Sequence, residues 1–389
     1  MAFSGKASYS AGSTLPELAE DVTDIVSLVS PHETPLLDHL GDPQRSATST
    51  LHEWLEDTLL PSSDAISDSS ITNPATETAF DVANGSRFRI GDQIQVEGSR
   101  EVMLVTGIST NTLTVVRGYG ATTAENIATT QKLRILGNAA LEGDDRPAAR
   151  FTNRSRKVNY TQIFTAGVEV SGTQQAVNTI GLADELDYQK QERLRELLRD
   201  LENCVINGVA PAATTEGSSS VRRTMKGILP FLTTNVFVNN TGGFPAGDGT
   251  GTNLLNETQI NTALRRVWDQ SSGRIDTIVV NGFQKRRINT FITSNRRFSS
   301  DDNRFRDLVS VYESDFGICK VILSRWVPAD TVLLLDSSRL TVLPLAGRSF
   351  HFKKQSSAGD REAGQVIGEY TLELRNENAH ALIRGVATS

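Results

Sequence analysis

From Leu182 to Asn207 the chain runs without proline or glycine, and Leu186, Leu194, Leu197, Leu198, Leu201 and Val205 recur on one stripe. That spacing predicts a single amphipathic helix about 39 Å long at about 1.5 Å per residue. Gly208 stands where a left-handed terminator is expected. Charged residues fill the other face, with Glu192 and Glu196 set against Arg193, Arg195 and Arg199. A helix this long and this charged is a strut packed on one side.

The first seventy-odd residues have the opposite character. Their apolar residues (Leu15, Leu18, Val22, Ile25, Val26, then Leu51, Trp54, Leu55, Leu59) are strung between polar runs. Ordering costs roughly 1 to 2 kcal/mol of backbone entropy per residue, so such an arm is ordered only against another body, such as a second subunit. Residues 16–40 read as short helical pieces broken by Pro31 and Pro35. The run ATSTLHEWLEDTLL reads as an extended strand ending at Pro61, followed by a polar Ser/Asp-rich linker over 61–79.

Residues 80–137 carry short strand patterns separated by turn signals at Asn84-Gly85, Gly91-Asp92, Gly98 and Asn111, the signature of a small β-barrel or sandwich. Ile90, Ile94, Val96, Met103 and Val105 are the expected buried face. Beyond it an extended pattern resumes with five basic residues, Arg146, Arg150, Arg154, Arg156 and Lys157, whereas the earlier strand carries Glu53, Glu56 and Asp57. The two strands are expected to close a hairpin around the block. Opposite charges across strands contribute only about 0.2 to 1 kcal/mol per pair, so they set register or partner choice more than stability. Trp54, Glu53, Asp57, Arg150, Arg154 and Arg156 are therefore the candidate contacts between subunits.

The C-terminal half alternates element types. Asn256 with Gln259 forms an expected N-terminal capping pair for a helix whose face is Ile260, Ala263, Leu264, Val267 and Trp268. A strand (DTIVV), a helix with Phe283, Ile288, Phe291 and Ile292, and strands CKVILSRWV, DTVLLLD, RLTVLPL and EYTLELRNENAHALIRGV follow. The fold class is α+β with a mixed sheet.

At 389 residues the chain has room for about two or three domains. A net charge of −7 argues against a freely nucleic-acid-binding module. Cys204 and Cys319 suit reduced, buried thiols. No apolar run approaches a membrane span, and the start of the chain lacks a secretory pattern, so neither a membrane nor export is expected.

No catalytic, cofactor or metal site is expected. Gly118 and Gly120 follow a strand, but no third glycine and no amphipathic helix come after them, so they read as a turn. The glycine-rich loop at 241–252 lacks the lysine of a phosphate-binding loop. His32, His39, His52, His351 and His380 lack metal-ligand spacing. Asp144, Asp145, Asp301 and Asp302 read as solvated loop charge. The arginine-rich stretch from Lys285 to Arg306 leaves three readings open: nucleic-acid contact, subunit salt bridges and solvation.

The order of polar arm, strand, inserted β-block, returning strand, long charged helix, α/β unit and closing strands resembles the major capsid proteins of tailed bacteriophages, with the Hong Kong ninety-seven type fold. Its most specific parts are ETPLL at Glu33 to Leu37, the strand at His52 to Trp54 and its return near Tyr160 to Phe164. The resemblance implies an N-terminal arm (1–45), an extended loop (46–79 and 138–165), an inserted β-barrel-like domain (80–137), a peripheral domain (166–255 and 339–389) with a spine helix over 182–207, and an axial domain (256–338).

It also implies a shell subunit in hexamers and pentamers of an icosahedral virion around double-stranded DNA, made in the host cytoplasm, with portal and decoration proteins as partners. Few residues precede the arm pattern, so a separate scaffolding protein is expected. Two alternatives are a cellular nanocompartment shell and a carbohydrate-binding β-domain using Tyr119 and Phe88 as ring platforms.

Overall fold

The computed structural model describes residues 33–143, 145, 147–177, 184–211, 217–249, 253–295, 311–356 and 359–388. Most of the expected arm, His32, Asp144, Arg146 and residues 296–310 lie outside this set. In chain order the strands are β1 (Leu51–Glu56), β2 (Ser63–Ala65), β3 (Ala79–Asp81), β4 (Asp92–Val96), β5 (Val102–Ser109), β6 (Thr112–Val116), β7 (Lys132–Asn138), β8 (Ser155–Tyr160) and β9 (Gln162–Ser171). They continue as β10 (Val236–Val238), β11 (Thr277–Val280), β12 (Val311–Ser314), β13 (Gly317–Leu323), β14 (Thr331–Leu335), β15 (Leu340–Pro344), β16 (His351–Lys354), β17 (Arg361–Leu374) and β18 (Ala381–Arg384). The helices are α1 (Pro35–Leu40), α2 (Gly172–Ala176), α3 (Glu185–Asn207), α4 (Ile228–Phe231), α5 (Glu257–Gln270) and α6 (Gly282–Asn295). The chain divides into two compact units, one of residues 1–54 with 156–389 and one of residues 55–155.

The 55–155 unit is an antiparallel sheet in the order β2-β7-β4-β5-β6-β3, and a bridge between Ile66 and Val82 joins its outer strands. Period-two alternation sends Ile94, Val96, Met103 and Val105 into one core with Phe80, Phe88 and Leu113. Ile90 departs from the expected face and is 66% exposed. It lies within a tight turn in which the Asp92 carboxylate accepts the Arg89 N–H at 2.6 Å, and a turn has no alternating faces.

The linker expected over 61–79 is corrected too. Ser63–Ala65 pairs with β7, and Ile66 and Ile71 are buried in this core. Phe88 is core as well, so it offers no ring to a sugar.

In the larger unit, β10-β18-β14-β11-β13-β12 form a mixed six-stranded sheet. Alternation gives it two apolar faces. Phe237, Ile383, Val332, Ile278, Val321 and Tyr312 join the core under α5 and α6, while Leu382, Leu333, Val279 and Ile322 join the core against α3. Val236–Val238 and Ala381–Arg384 therefore belong to the same sheet as 277–280, although the sequence reading put them in a different domain. Strand pairing across such separations leaves no local mark.

A second sheet is organised on β17, which pairs with β9 over ten positions and with β15 and β16. Helix α3 packs Leu197, Leu201, Val205 and Ile206 into the core with Phe164, Val168, Val366 and Leu372 from that sheet. Each such side chain contributes about 1.5 to 3 kcal/mol when fully buried. The Asp184 carboxylate caps α3 by accepting the Leu186 N–H at 2.8 Å.

Gly208 ends α3 with φ −54°, not as a left-handed residue. A Cβ there would lie 2.4 Å from the Cys204 carbonyl oxygen, and the Gly227 N–H donates to Gly208 O at 2.7 Å. Close backbone approach is the reason for this glycine.

The Asn256–Gln259 capping box is formed, but Trp268 is 64% exposed and tilts over Phe316 at 6.1 Å. It lies at the edge of the helical stripe, where the sheet beneath no longer covers it.

Candidate functional site

Strands β1 and β8 pair as a two-stranded ribbon. Alternation along β1 turns Trp54 one way and Glu53 and Leu55 the other. Across the ribbon Arg156 Nη1 lies 3.5 Å from Glu53 Oε2, and Arg154 Nε lies 3.8 Å from Asp57 Oδ2. The structure thus brings together four of the six candidate residues as exposed pairs, a class worth under about 1 kcal/mol each. Arg150 is used differently, donating to the Ser86 carbonyl oxygen.

Trp54 is a correction. It is 8% exposed, between His52 at 5.9 Å and Phe231 at 6.1 Å, so its indole has little surface left for a neighbour. The apolar surface on offer lies farther along: Leu59 is 94% and Phe151 81% exposed, with Leu55 and Leu141 also open.

The base of the ribbon is held by buried carboxylates. Glu373 accepts from Arg45 Nη2 at 2.5 Å, pairs with His52 Nε2 at 2.6 Å and lies 3.4 Å from Arg375 Nε. Burial alone would raise its pKa, but the His52 and Arg45 hydrogen bonds outweigh that and hold it below the usual range. Glu369 accepts from Thr161 Oγ1 at 2.6 Å and is flanked by Arg223 and by Arg348 Nε at 2.9 Å.

The ETPLL segment docks by a third carboxylate. Glu202 of α3 accepts the Leu36 N–H at 3.3 Å, the Leu37 N–H at 3.1 Å and the Ser324 hydroxyl at 3.3 Å. Burial dominates here and raises its pKa. His39 extends the contact, with Nε2 2.9 Å from Thr277 Oγ1 and Nδ1 3.1 Å from Lys320 Nζ.

Sequence reasoning missed these three glutamates and the ligating role of His52. For Glu202 a signal existed, because it interrupts the apolar stripe between Leu198 and Ile206 at helical spacing.

Part of the chemistry-bearing alternatives falls on described residues, whereas residues 296–306 of the basic stretch lie outside them. Gly118 and Gly120 form a turn with φ 60° and 70°. Arg287, in the basic stretch, points its guanidinium over Phe291 at 5.8 Å and donates to Leu255 O at 3.3 Å. Cys204 and Cys319 are free thiols, and burial pushes both upward, Cys319 to about 11. Among the described residues no three His, Cys, Asp or Glu side chains converge as a metal site, and no helix is long and apolar enough to cross a membrane.

Comparison with known proteins matches this architecture. A capsid chain of a native GTA particle solved with C5 symmetry superposes with a TM-score of 0.51 at 11% identity, covering 98% of this chain and 99% of that one. A chain from Mycobacterium phage Bobi gives 0.47 at 13% identity, covering 94% and 95%. The major capsid protein of Escherichia phage Phieco32 is 23% identical over 353 residues, 80% of this chain and 96% of that one.

The fold is that of a capsid shell subunit. The profile of the SU10 major capsid protein family matches residues 4–387, and the chain belongs to that family. It is a major capsid protein that forms a phage capsid shell, a component of the virion and not the shell of a cellular nanocompartment.

Proposed function

We propose that the chain tiles an icosahedral shell around packaged double-stranded DNA, as hexamers and pentamers in which the ribbon and the 55–155 unit reach a neighbouring copy. The observation that carries this reading is the open apolar surface of Leu55, Leu59, Leu141 and Phe151. Large apolar side chains left this exposed on one chain are candidates for burial against a partner. In a shell the adjacent body is another copy. The exposed Glu53–Arg156 and Asp57–Arg154 pairs are suited to exchange partners across such a contact, since each contributes little within one chain.

In this reading residues 1–45 clasp a neighbour, 46–79 and 138–165 form the extended loop, 166–255 and 339–389 the peripheral domain, and 256–338 the axial domain. A separate scaffolding protein directs assembly in the host cytoplasm, and a portal occupies one vertex. A decoration protein binds outside, and DNA meets the inner face without sequence specificity. The chain works as a structural part and performs no catalysis.

The test is electron microscopy of the chain expressed with its scaffolding protein. Closed shells or capsomers are expected, with DNA in particles recovered from infected cells. A persistent monomer overturns the reading.

A further inference from the structure

Two strands, β10 and β12, end the six-stranded sheet, and among the described residues no further strand pairs with either, although on β10 the Val238 carbonyl oxygen already accepts the Thr241 N–H at 3.1 Å. On β10, Asn235 O accepts the Leu382 N–H at 3.0 Å and the Asn239 N–H donates to Arg384 O at 3.0 Å. A parallel ladder alternates, so the N–H groups of Val236 and Val238 point away from β18. A cleft of about 410 Å³ runs beside this edge, lined in part by Val236, Val238 and Arg266, and leaves it accessible.

On β12 the register sets Val311 opposite Lys320, whose own N–H donates to Asp276 O at 2.7 Å on the far side of β13. Val311 and, two residues on, Glu313 therefore direct their N–H and C=O groups outward.

The two edges are complementary. Following the pairings through the sheet, β10 and β12 run in opposite directions. A copy rotated about an axis along the strands consequently meets β10 with an antiparallel β12. The same pairings place Val238, Arg384, Val311 and Glu313 on one face of the sheet, opposite Phe237 and Tyr312. Val238 and Val311 are both exposed. Arg384 and Glu313 are exposed, of opposite charge, and without an ion-pair partner among the described residues. A contact between different edges of identical subunits closes into a ring when the rotation permits.

We infer that β12 of one copy adds to β10 of the next, with Val238 opposite Val311 and Val236 opposite Glu313, so that the sheets of a capsomer join edge to edge. The inference rests on the shell reading above, and it names the pairing that closes the ring. Unpaired edges are otherwise templates for uncontrolled association, and mutual capping removes both at once.

Two measurements on assembled particles test it. In the double variant Val238→Cys with Val311→Cys, oxidation should yield a ladder of covalently linked multimers absent from either single variant, since the paired Cα atoms would lie about 5.5 Å apart. In the unmodified chain, hydrogen exchange at the Val236, Val238, Val311 and Glu313 amides should slow on assembly. Shells that show neither the ladder nor the protection overturn the edge pairing and leave the shell reading intact. A chain that stays monomeric under every assembly condition overturns both.

Discussion

Glu202, inside the long helix, accepts the backbone N–H of Leu37 at 3.1 Å from a segment 165 positions away in sequence. That contact, with its companion to Leu36, fixes the first described helix of the chain onto the core. Replacing Glu202 by Ala strands one buried and one part-buried donor, and a loss of about 2 to 4 kcal/mol is expected in urea unfolding of the unassembled subunit.

Its pH dependence has a definite sign. Burial raises the folded pKa of Glu202 above its ordinary 4.5, so the folded state binds the proton more readily than the unfolded chain. The contribution is greatest below the unfolded value and is lost as pH rises through the folded one. Relative to Glu202→Gln, which does not titrate, the unmodified subunit should gain stability on acidification toward pH 4.5, read from urea midpoints measured in parallel.

His380 should behave in the opposite way. It is buried, its Nδ1 accepts the Asp336 N–H at 3.1 Å, and desolvation lowers its pKa from 6.5 to about 4. The unfolded chain takes up the proton first, so this stability is complete above pH 6.5 and is lost as pH falls toward 4. His380→Gln should remove that component from the acid limb of the stability profile.

In the 55–155 unit, Arg117 Nε and Nη2 donate to the two oxygens of Glu101 at 2.7 and 2.8 Å, and the N–H groups of Gly118 and Glu125 complete the shell at 3.1 and 2.8 Å. Removing one partner leaves a buried charge uncompensated, at a cost of about 3 to 5 kcal/mol. Arg117→Ala should open this unit to limited proteolysis while cleavage elsewhere is unchanged, because the unit has its own core.

On the ribbon, reversal of Glu53 and Asp57 to Lys should change subunit stability by less than about 1 kcal/mol and yet reduce shell yield in electron micrographs. Normal shells would remove the electrostatic role. Trp54→Ala should instead cost about 3 to 5 kcal/mol of subunit stability in thermal or urea unfolding, as expected of a buried aromatic.

Local periodicity carried much of the fold. The long helix, the capping box at Asn256 and Gln259, and the buried alternation of Ile94, Val96, Met103 and Val105 all depend on neighbours within one turn or one strand. The same reasoning misplaced Ile90 and Trp268, where a periodic pattern runs past the surface that covers it. It also read Trp54 by its strand position without the Phe231 ring that buries it.

What the sequence determined by itself was the long helices and principal strands, their amphipathic faces and the presence of surface that one chain leaves uncovered. Tertiary structure alone decided the strand order, the single sheet shared by two cores, and the partners of the buried carboxylates. His52 meets Glu373 across 321 positions. A buried charge is stable only with its partner in place, and no periodicity encodes a partner that distant.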